Sequence, residues 1–289
     1  MTSNIILAFV RDLIFQVRIE AACQQTGCSV QLIDRVDLIP EYIRGDSNNQ
    51  IAKPLIGRNG GLIELLSIVS PVLLIFDLEN KLVPWKNWME ILTTDPATRR
   101  IPIIAFGSHL NQRAFADARK AGAHKVFSRS RFFRDLPSLI KKYAREISHA
   151  HLTDWCEAPL PLAAFKGLEE FNRGEYFAAH ESLESAWLEE RHPGREMYRA
   201  ILQIAVAYHH IVNGNFFGAA KMFLRMRQWI TPLPDCCRGI DIKKLKKDSE
   251  VVYSELRRLG PERMQQFDLN LLQPVRYQLV YENSSMNKG

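Results

Sequence analysis

Five short apolar runs, each followed by a segment of helical period, restrict what the first half of this 289-residue chain can fold into. The runs are 4–10, 29–34, 71–77, 102–107 and 125–128. Continuous apolar strands of this length are buried on both faces, which requires a parallel sheet with helices covering each side. After the first run, Leu13, Ile14, Val17, Ile19 and Ala22 mark a helix that Gly27 closes. The expected fold is an α/β doubly wound, parallel five-stranded sheet, and ligands of such sheets sit beyond the carboxyl ends of the strands.

That rule selects the residues to inspect. Asp12 follows the first run, Asp77 ends the third, Gly107 and Ser108 follow the fourth, and Ser128 and Arg129 follow the fifth. Two carboxylates at one mouth suit Mg²⁺, a hard cation that keeps its waters. A carboxylate beside that ion can accept a phosphoryl group. The segment Gly57-Arg58-Asn59-Gly60-Gly61 lacks the Gly-Lys-Ser/Thr of a phosphate loop and reads as a turn.

From Pro161 onward the period is helical throughout, with helices expected at 161–172, 175–190, 194–213, 216–230 and 241–258. Short connections make consecutive helices antiparallel neighbours in an all-α bundle. The densest chemistry lies in the second of them. His180 and Glu184 share a face that Trp187 extends, while Glu181 points elsewhere. Antiparallel pairing brings Gln203 and His210 of the next helix to meet them in the bundle interior. Two readings stay open: a satisfied hydrogen-bond network that fixes helix register, or a transition-metal site on His180, Glu184 and His210. The fifth position of the motif is Glu184 rather than His, so a zinc-protease assignment fails. Tyr176, Phe177 and Trp187 are expected in the core.

A hydrophobic content of 46% and a charged content of 24% describe an ordinary globular chain. The net charge of +6 permits a nucleic-acid partner through Lys243, Lys244, Lys246 and Lys247 with Arg225 and Arg227. Asp248 and Glu250 follow that run, however, and make it a mixed-charge helix surface, so this reading ranks third. Five cysteines without a CxxC pair point to reduced thiols, with the adjacent Cys236 and Cys237 incidental in a turn. The N-terminus lacks a basic leader, and no apolar run approaches the roughly 20 residues of a membrane span. A cytoplasmic protein without a membrane partner is expected.

The organisation read from these patterns is a first domain at 1–146, a linker at 147–160 with His149, His151, Asp154 and Pro159, a helical domain at 161–260 and a tail at 261–289. The tail should strap onto the fold and then fray.

Over about 1–146 the pattern resembles the receiver domain of two-component response regulators. The residues that carry the resemblance are Asp77 after its apolar strand, Asp95-Pro96 before Ile101-Pro102-Ile103-Ile104, and Ala121-Gly122-Ala123 before the last strand. The resemblance implies that Asp77 is the phosphoacceptor position and Asp12 a metal-binding carboxylate. Three departures stand against it: Arg11-Asp12 replaces an acidic pair, Gly107 stands where Ser or Thr is usual with Ser108 one place on, and Arg129-Ser130 replaces Lys-Pro. Arg does not reproduce the geometry of Lys. They describe a pseudo-receiver, closed by a salt bridge from Arg11 or Arg129 to Asp77 and used for protein contact.

Residues 160–260 resemble the helical family catalogued as domain of unknown function family 309. The matching pattern is Asn172-x-Gly174-x-Tyr176, His180-Glu181-x-x-Glu184-x-x-Trp187, Gln203-Ile204, His210, Gly214-Asn215-x-x-Gly218-Ala219 and Gly239-Ile240-Asp241. The resemblance implies a compact helical domain and brings no reaction with it. The sequence thus describes a cytosolic regulatory or adaptor protein with a protein partner and scope for homo-oligomers. The alternative is a metal-dependent enzyme or ligand-binding protein using His180, Glu184 and His210.

Overall fold

The computed structural model of the chain describes residues 4–39, 60–145 and 152–278. The first two stretches form one compact unit and the third forms another. Gly57, Arg58, Asn59, His149, His151 and the tail from residue 279 lie outside the described residues.

The first unit runs β1 (Asn4–Phe9), α1 (Leu13–Gln25), β2 (Cys28–Leu32), α2 (Gly60–Val69), β3 (Leu73–Asp77), α3 (Trp85–Thr94), β4 (Ile103–Gly107), α4 (Gln112–Lys120), β5 (Lys125–Ser128) and α5 (Arg129–Tyr143). Every pairing is parallel and the sheet order is β2-β1-β3-β4-β5. Period-two alternation sends Ile6 and Ala8 toward α1 and α5, where Ile19, Ala22, Phe132 and Leu136 meet them. Leu7 and Phe9 point the other way, to Leu65, Trp88 and Phe115 of α2, α3 and α4. Both faces are covered, which is why the inner strands β1, β3 and β4 read as unbroken apolar runs. Phe9 stacks on Phe76 and Phe106 on Phe132, each at 4.4 Å between ring centroids. Burying one such ring contributes about 1.5–3 kcal/mol. β3 is the central strand, so Asp77 at its carboxyl end lies between the loops that leave β1 and β4.

The second unit is built from α6 (Thr153–Glu157), α7 (Leu162–Asn172), α8 (Tyr176–Glu189), α9 (Glu196–Val212), α10 (Phe216–Ile230), a hairpin of β6 (Cys236–Cys237) with β7 (Ile240–Asp241), and α11 (Ile242–Leu259). Helices α7 to α10 pack consecutively, around Leu168, Phe171, Leu183, Ile201, Ile204, Tyr208 and Phe223. Short turns impose that arrangement.

Three features of this unit differ from the sequence reading. Residues 152–158, expected within a linker, contain α6 with Leu152 and Trp155 buried. A helix of five residues is too short to show a period. The hairpin is equally short, and residues 275–278 lie along it: Tyr277 bridges Ile240, Asp241 N–H donates to the Arg276 carbonyl at 2.9 Å, and Gln278 N–H donates to the Gly239 carbonyl at 2.9 Å. Finally, Cys156 and Cys237 form a disulfide across 81 residues, which overturns the expectation of reduced thiols at these two positions. Sequence spacing carries no signal for such a pairing.

Among the described residues no helix is long and apolar enough to cross a membrane.

Candidate functional site

The loops beyond the strand ends of the first unit bring Asp77, Glu79, Ser108 and Arg129 together. Glu79 stands two residues past β3, and its N–H donates to Asp77 Oδ1 at 3.0 Å. Its carboxylate accepts from Arg129 Nη2 at 2.6 Å through Oε2 and from Ser108 N–H at 2.9 Å through Oε1. Arg129 opens α5 and lies 5.2 Å over the Phe15 ring, which fixes its approach. The Ser108 hydroxyl turns back to accept from Leu110 N–H at 3.3 Å. Ser108 therefore supplies the mouth with its amide, not its hydroxyl.

Asp77 itself is buried. Burial is the main cause that holds its carboxyl above the ordinary value; the Glu79 N–H and the Arg129 charge pull it back, while Glu79 and Asp12 push it up. The sequence reading paired Arg11 or Arg129 with Asp77. The structure pairs Arg129 with Glu79 instead, because the longer Glu side chain reaches the guanidinium and the β4 loop amide together. Asp12, the expected metal carboxylate, caps α1: its Oδ1 accepts from Ile14 N–H at 2.9 Å and Phe15 N–H at 3.3 Å. Among the described residues no three His, Cys, Asp or Glu side chains gather as a metal-holding group.

In the second unit the expected interior cluster is dispersed. Glu181 and Glu184 are exposed, and His180 is half-buried beside the exposed Phe177 ring at 6.3 Å. Phe177, expected in the core, is 60% exposed. Tyr176 is half-buried, packing its ring edge-on against Phe171 and Tyr208. Trp187 is half-buried under the guanidinium groups of Arg195 and Arg199 at 5.1 and 4.9 Å. The Gln203 Oε1 is buried without a hydrogen-bond partner among the described residues. His210 serves the next turn: its Nδ1 lies 3.1 Å from Asn215 Nδ2, and Asn215 Oδ1 caps α10 by accepting from Gly218 N–H at 2.9 Å. A Cβ on Gly218 would come within 2.7 Å of the His210 ring, so the spacing His210, Asn215, Gly218 is one capping device. Burial first, and the neighbouring His209 second, hold the His210 pKa below its ordinary value.

The strongest polar cluster of this unit was not singled out from sequence. Buried Arg238 donates from Nε to the Trp155 carbonyl at 3.1 Å, from Nη1 to the Pro159 carbonyl at 3.2 Å and Tyr198 Oη at 3.0 Å, and from Nη2 to Glu190 Oε2 at 3.3 Å. Its guanidinium lies 4.0 Å from the Trp155 ring centroid. Glu190 also accepts from Trp155 Nε1 and His192 N–H, each at 2.9 Å. Burial raises the Glu190 pKa, but these hydrogen bonds and the Arg238 charge together hold it below the ordinary value. No family motif residue other than Gly239 adjoins Arg238, and a lone Arg after two cysteines gives no sequence signal.

Much of the basic run is paired internally. Lys244 pairs with Asp248, Lys243 with Asp235, Arg227 with Glu250, and Lys246 Nζ donates to the Leu233 carbonyl at 2.8 Å. Four of the six cations named for a nucleic-acid partner therefore have internal partners, although Lys243 keeps its side chain 78% exposed.

Strand order and the carboxylate ending the central strand define the first unit as receiver-like, while its consecutively packed helices make the second a helical domain. Within the second, residues 165–222 match the family model described as domain of unknown function (DUF309). No curated protein matches the chain. Among solved structures the chain is similar to the phosphorylated cyanobacterial phytochrome response regulator RcpA, at 13% identity over 49% of this chain and 94% of that one, with a TM-score of 0.36. It is similar to an orphan response regulator of H. pylori, at 12% identity over 50% and 98% of the two chains and a TM-score of 0.34. A response regulator in red light signalling of R. palustris matches at 12% identity over 47% and 91%, with a TM-score of 0.35.

Proposed function

We propose that the chain is a regulatory or adaptor protein of the cytosol. Its receiver-like unit presents a protein-contact surface without phosphoryl transfer, and its DUF309 unit is the module that this contact controls or positions. The observation that carries the reading is the Glu79 carboxylate, which takes both the Arg129 guanidinium and the Ser108 amide. These are the donors a receiver-like mouth would aim at an anion next to Asp77. Asp12 Oδ1 is engaged in the α1 cap, where it accepts from Ile14 and Phe15 N–H, which supports the same reading. The contact surface is supported by α1, where Leu13, Ile14 and Val17 are 74%, 70% and 63% exposed beside that mouth. Three large aliphatics on one exposed helix face suit a protein partner or a second copy.

The test is intact-mass measurement of the full chain after incubation with Mg²⁺ and acetyl phosphate. An unmodified mass is expected. A hydroxylamine-labile phosphoryl adduct on Asp77 would overturn the reading.

A further inference from the structure

The disulfide of the second unit borders an open cavity of about 1120 Å³, lined by Cys156, Cys236, Glu157, Asp241 and Tyr277 among others. Its two cysteines are unequally exposed. Cys237 is 0% exposed, whereas Cys156 is half-buried and lines the cavity wall. Cys236, the strand neighbour of Cys237, is a free and exposed thiol on the same cavity. The two remaining cysteines lie in the other unit, where burial pushes the Cys23 thiol up to about 12. Around the disulfide, α6 stays anchored by other means: Arg238 bonds the Trp155 and Pro159 carbonyls, and Trp155 Nε1 donates to Glu190. The bond can therefore open while the surrounding fold persists.

We propose that Cys156–Cys237 is a thiol-exchange site whose co-substrate is a dithiol reductant, with Cys156 Sγ as the attacked atom and Cys237 as the leaving thiol. One thiolate of the dithiol enters the cavity and forms a bond to Cys156 Sγ; the Cys156–Cys237 bond breaks, and Cys237 leaves and is protonated. The second thiol of the reductant then displaces Cys156 from the mixed disulfide. The reductant departs as its cyclic disulfide after giving two electrons, and its two protons end on Cys156 and Cys237. Exchange releases the covalent tie between α6 and the β6–β7 hairpin. This step rests on the cytosolic location proposed above, where a disulfide is usually of this exchangeable kind.

The experiment uses the full chain carrying Cys236→Ser, purified without reductant, titrated with dithiothreitol under native conditions and labelled with a maleimide. Peptide mapping should show label appearing on Cys156 and not on Cys237, at reductant concentrations that leave the near-UV circular dichroism unchanged. Amide exchange in residues 152–159 should quicken several-fold at the same point, and Cys156→Ser should show that faster exchange without reductant. The proposal is overturned if the bond resists reduction until urea unfolds the unit. It is also overturned if Cys237 labels first, or if both thiols are already free in the protein as purified.

Discussion

Glu79 Oε2 and Arg129 Nη2 meet at 2.6 Å although 50 residues separate them in sequence. Their meeting joins the loop after the central strand to the start of α5, and the Ser108 amide extends the contact to the β4 loop. Both side chains remain about a third exposed. Their contribution to stability is accordingly small, below about 1 kcal/mol. Glu79→Gln should therefore shift a urea unfolding midpoint only slightly. A larger loss would mean that the contact supports the fold and does more than close the mouth.

The same substitution should move Asp77. Glu79 and Asp12 raise its pKa, and Arg129 lowers it. Removing the Glu79 charge frees Arg129 to act on Asp77, so both changes pull the carboxyl down toward its ordinary value. A carbon-detected NMR titration of Asp77 in wild type and Glu79→Gln checks the direction. An upward or absent shift would contradict this account of the mouth.

Because burial holds the folded-state pKa of Asp77 above its unfolded value, the native state binds this proton more tightly than the unfolded chain does. The stability it contributes is fully present below the ordinary aspartate pKa and is lost as pH rises through the raised one. Asp77→Asn removes that dependence. It should stabilise the protein at neutral pH relative to wild type, and the advantage should vanish toward pH values below about 4, the ordinary aspartate range. Thermal unfolding across this range measures it.

Strands β1, β3 and β4 were legible because they are buried on both faces, which leaves an unbroken apolar signature that Ile6, Leu7, Leu74 and Ile104 all display, whereas the edge strands β2 and β5 are only partly buried. Asp77 was legible as the last residue of such a run. Glu79 was not, since its partner lies on a different loop and nothing local distinguishes it from any exposed carboxylate. In the helical unit the period placed α7 to α11, yet the shared face of His180 and Glu184 turned out to be largely solvent-facing. Periodicity tells which residues share a face and is silent on whether that face is buried. Cys156, Glu190 and Arg238 meet only after α6 and the hairpin have docked, and both elements are shorter than any detectable period.

Asn172 fixes the C-terminal strap by a two-way contact, donating to the Val275 carbonyl at 3.0 Å and accepting from its N–H at 2.8 Å. Asn172→Ala leaves a buried backbone pair at Val275 unsatisfied and should cost roughly 1–3 kcal/mol. Limited proteolysis should then cut near residues 273–278 much sooner than in wild type. Unchanged cleavage would show that the contacts of residues 276–278 with the hairpin suffice without Asn172.

Gly194 packs directly beneath Trp155, and a Cβ there would fall 2.4 Å from ring atom Cε3. The clash is with a rigid aromatic ring that Arg238 and the stacked His192, 5.6 Å away, already hold in place. Gly194→Ala should therefore displace Trp155 and cost about 1–3 kcal/mol by overpacking. The indole would lose its bond to Glu190, and tryptophan fluorescence should shift to the red as the ring meets water.

Arg238 gathers four hydrogen bonds and the Glu190 charge at a site where its side chain is 9% exposed. Truncation to Ala strands the Trp155 and Pro159 carbonyls and leaves Glu190 without its cation, a loss of roughly 3–5 kcal/mol for a buried pair broken on one side. Lysine keeps the charge but not the planar fork that reaches Trp155, Tyr198 and Glu190 at once, so Arg238→Lys should recover only part of the loss. Glu190 supplies the pH signature. Its pKa is held below the ordinary glutamate value, so its stabilisation is present above that value and fades as pH falls through the depressed one. In Arg238→Ala the depression should shrink, and the acid limb of the stability profile should flatten. Chemical denaturation between neutral pH and pH 3 separates the outcomes: a profile that keeps the wild-type acid slope would show that the Trp155 and His192 donors, and not the Arg238 charge, hold Glu190 ionised.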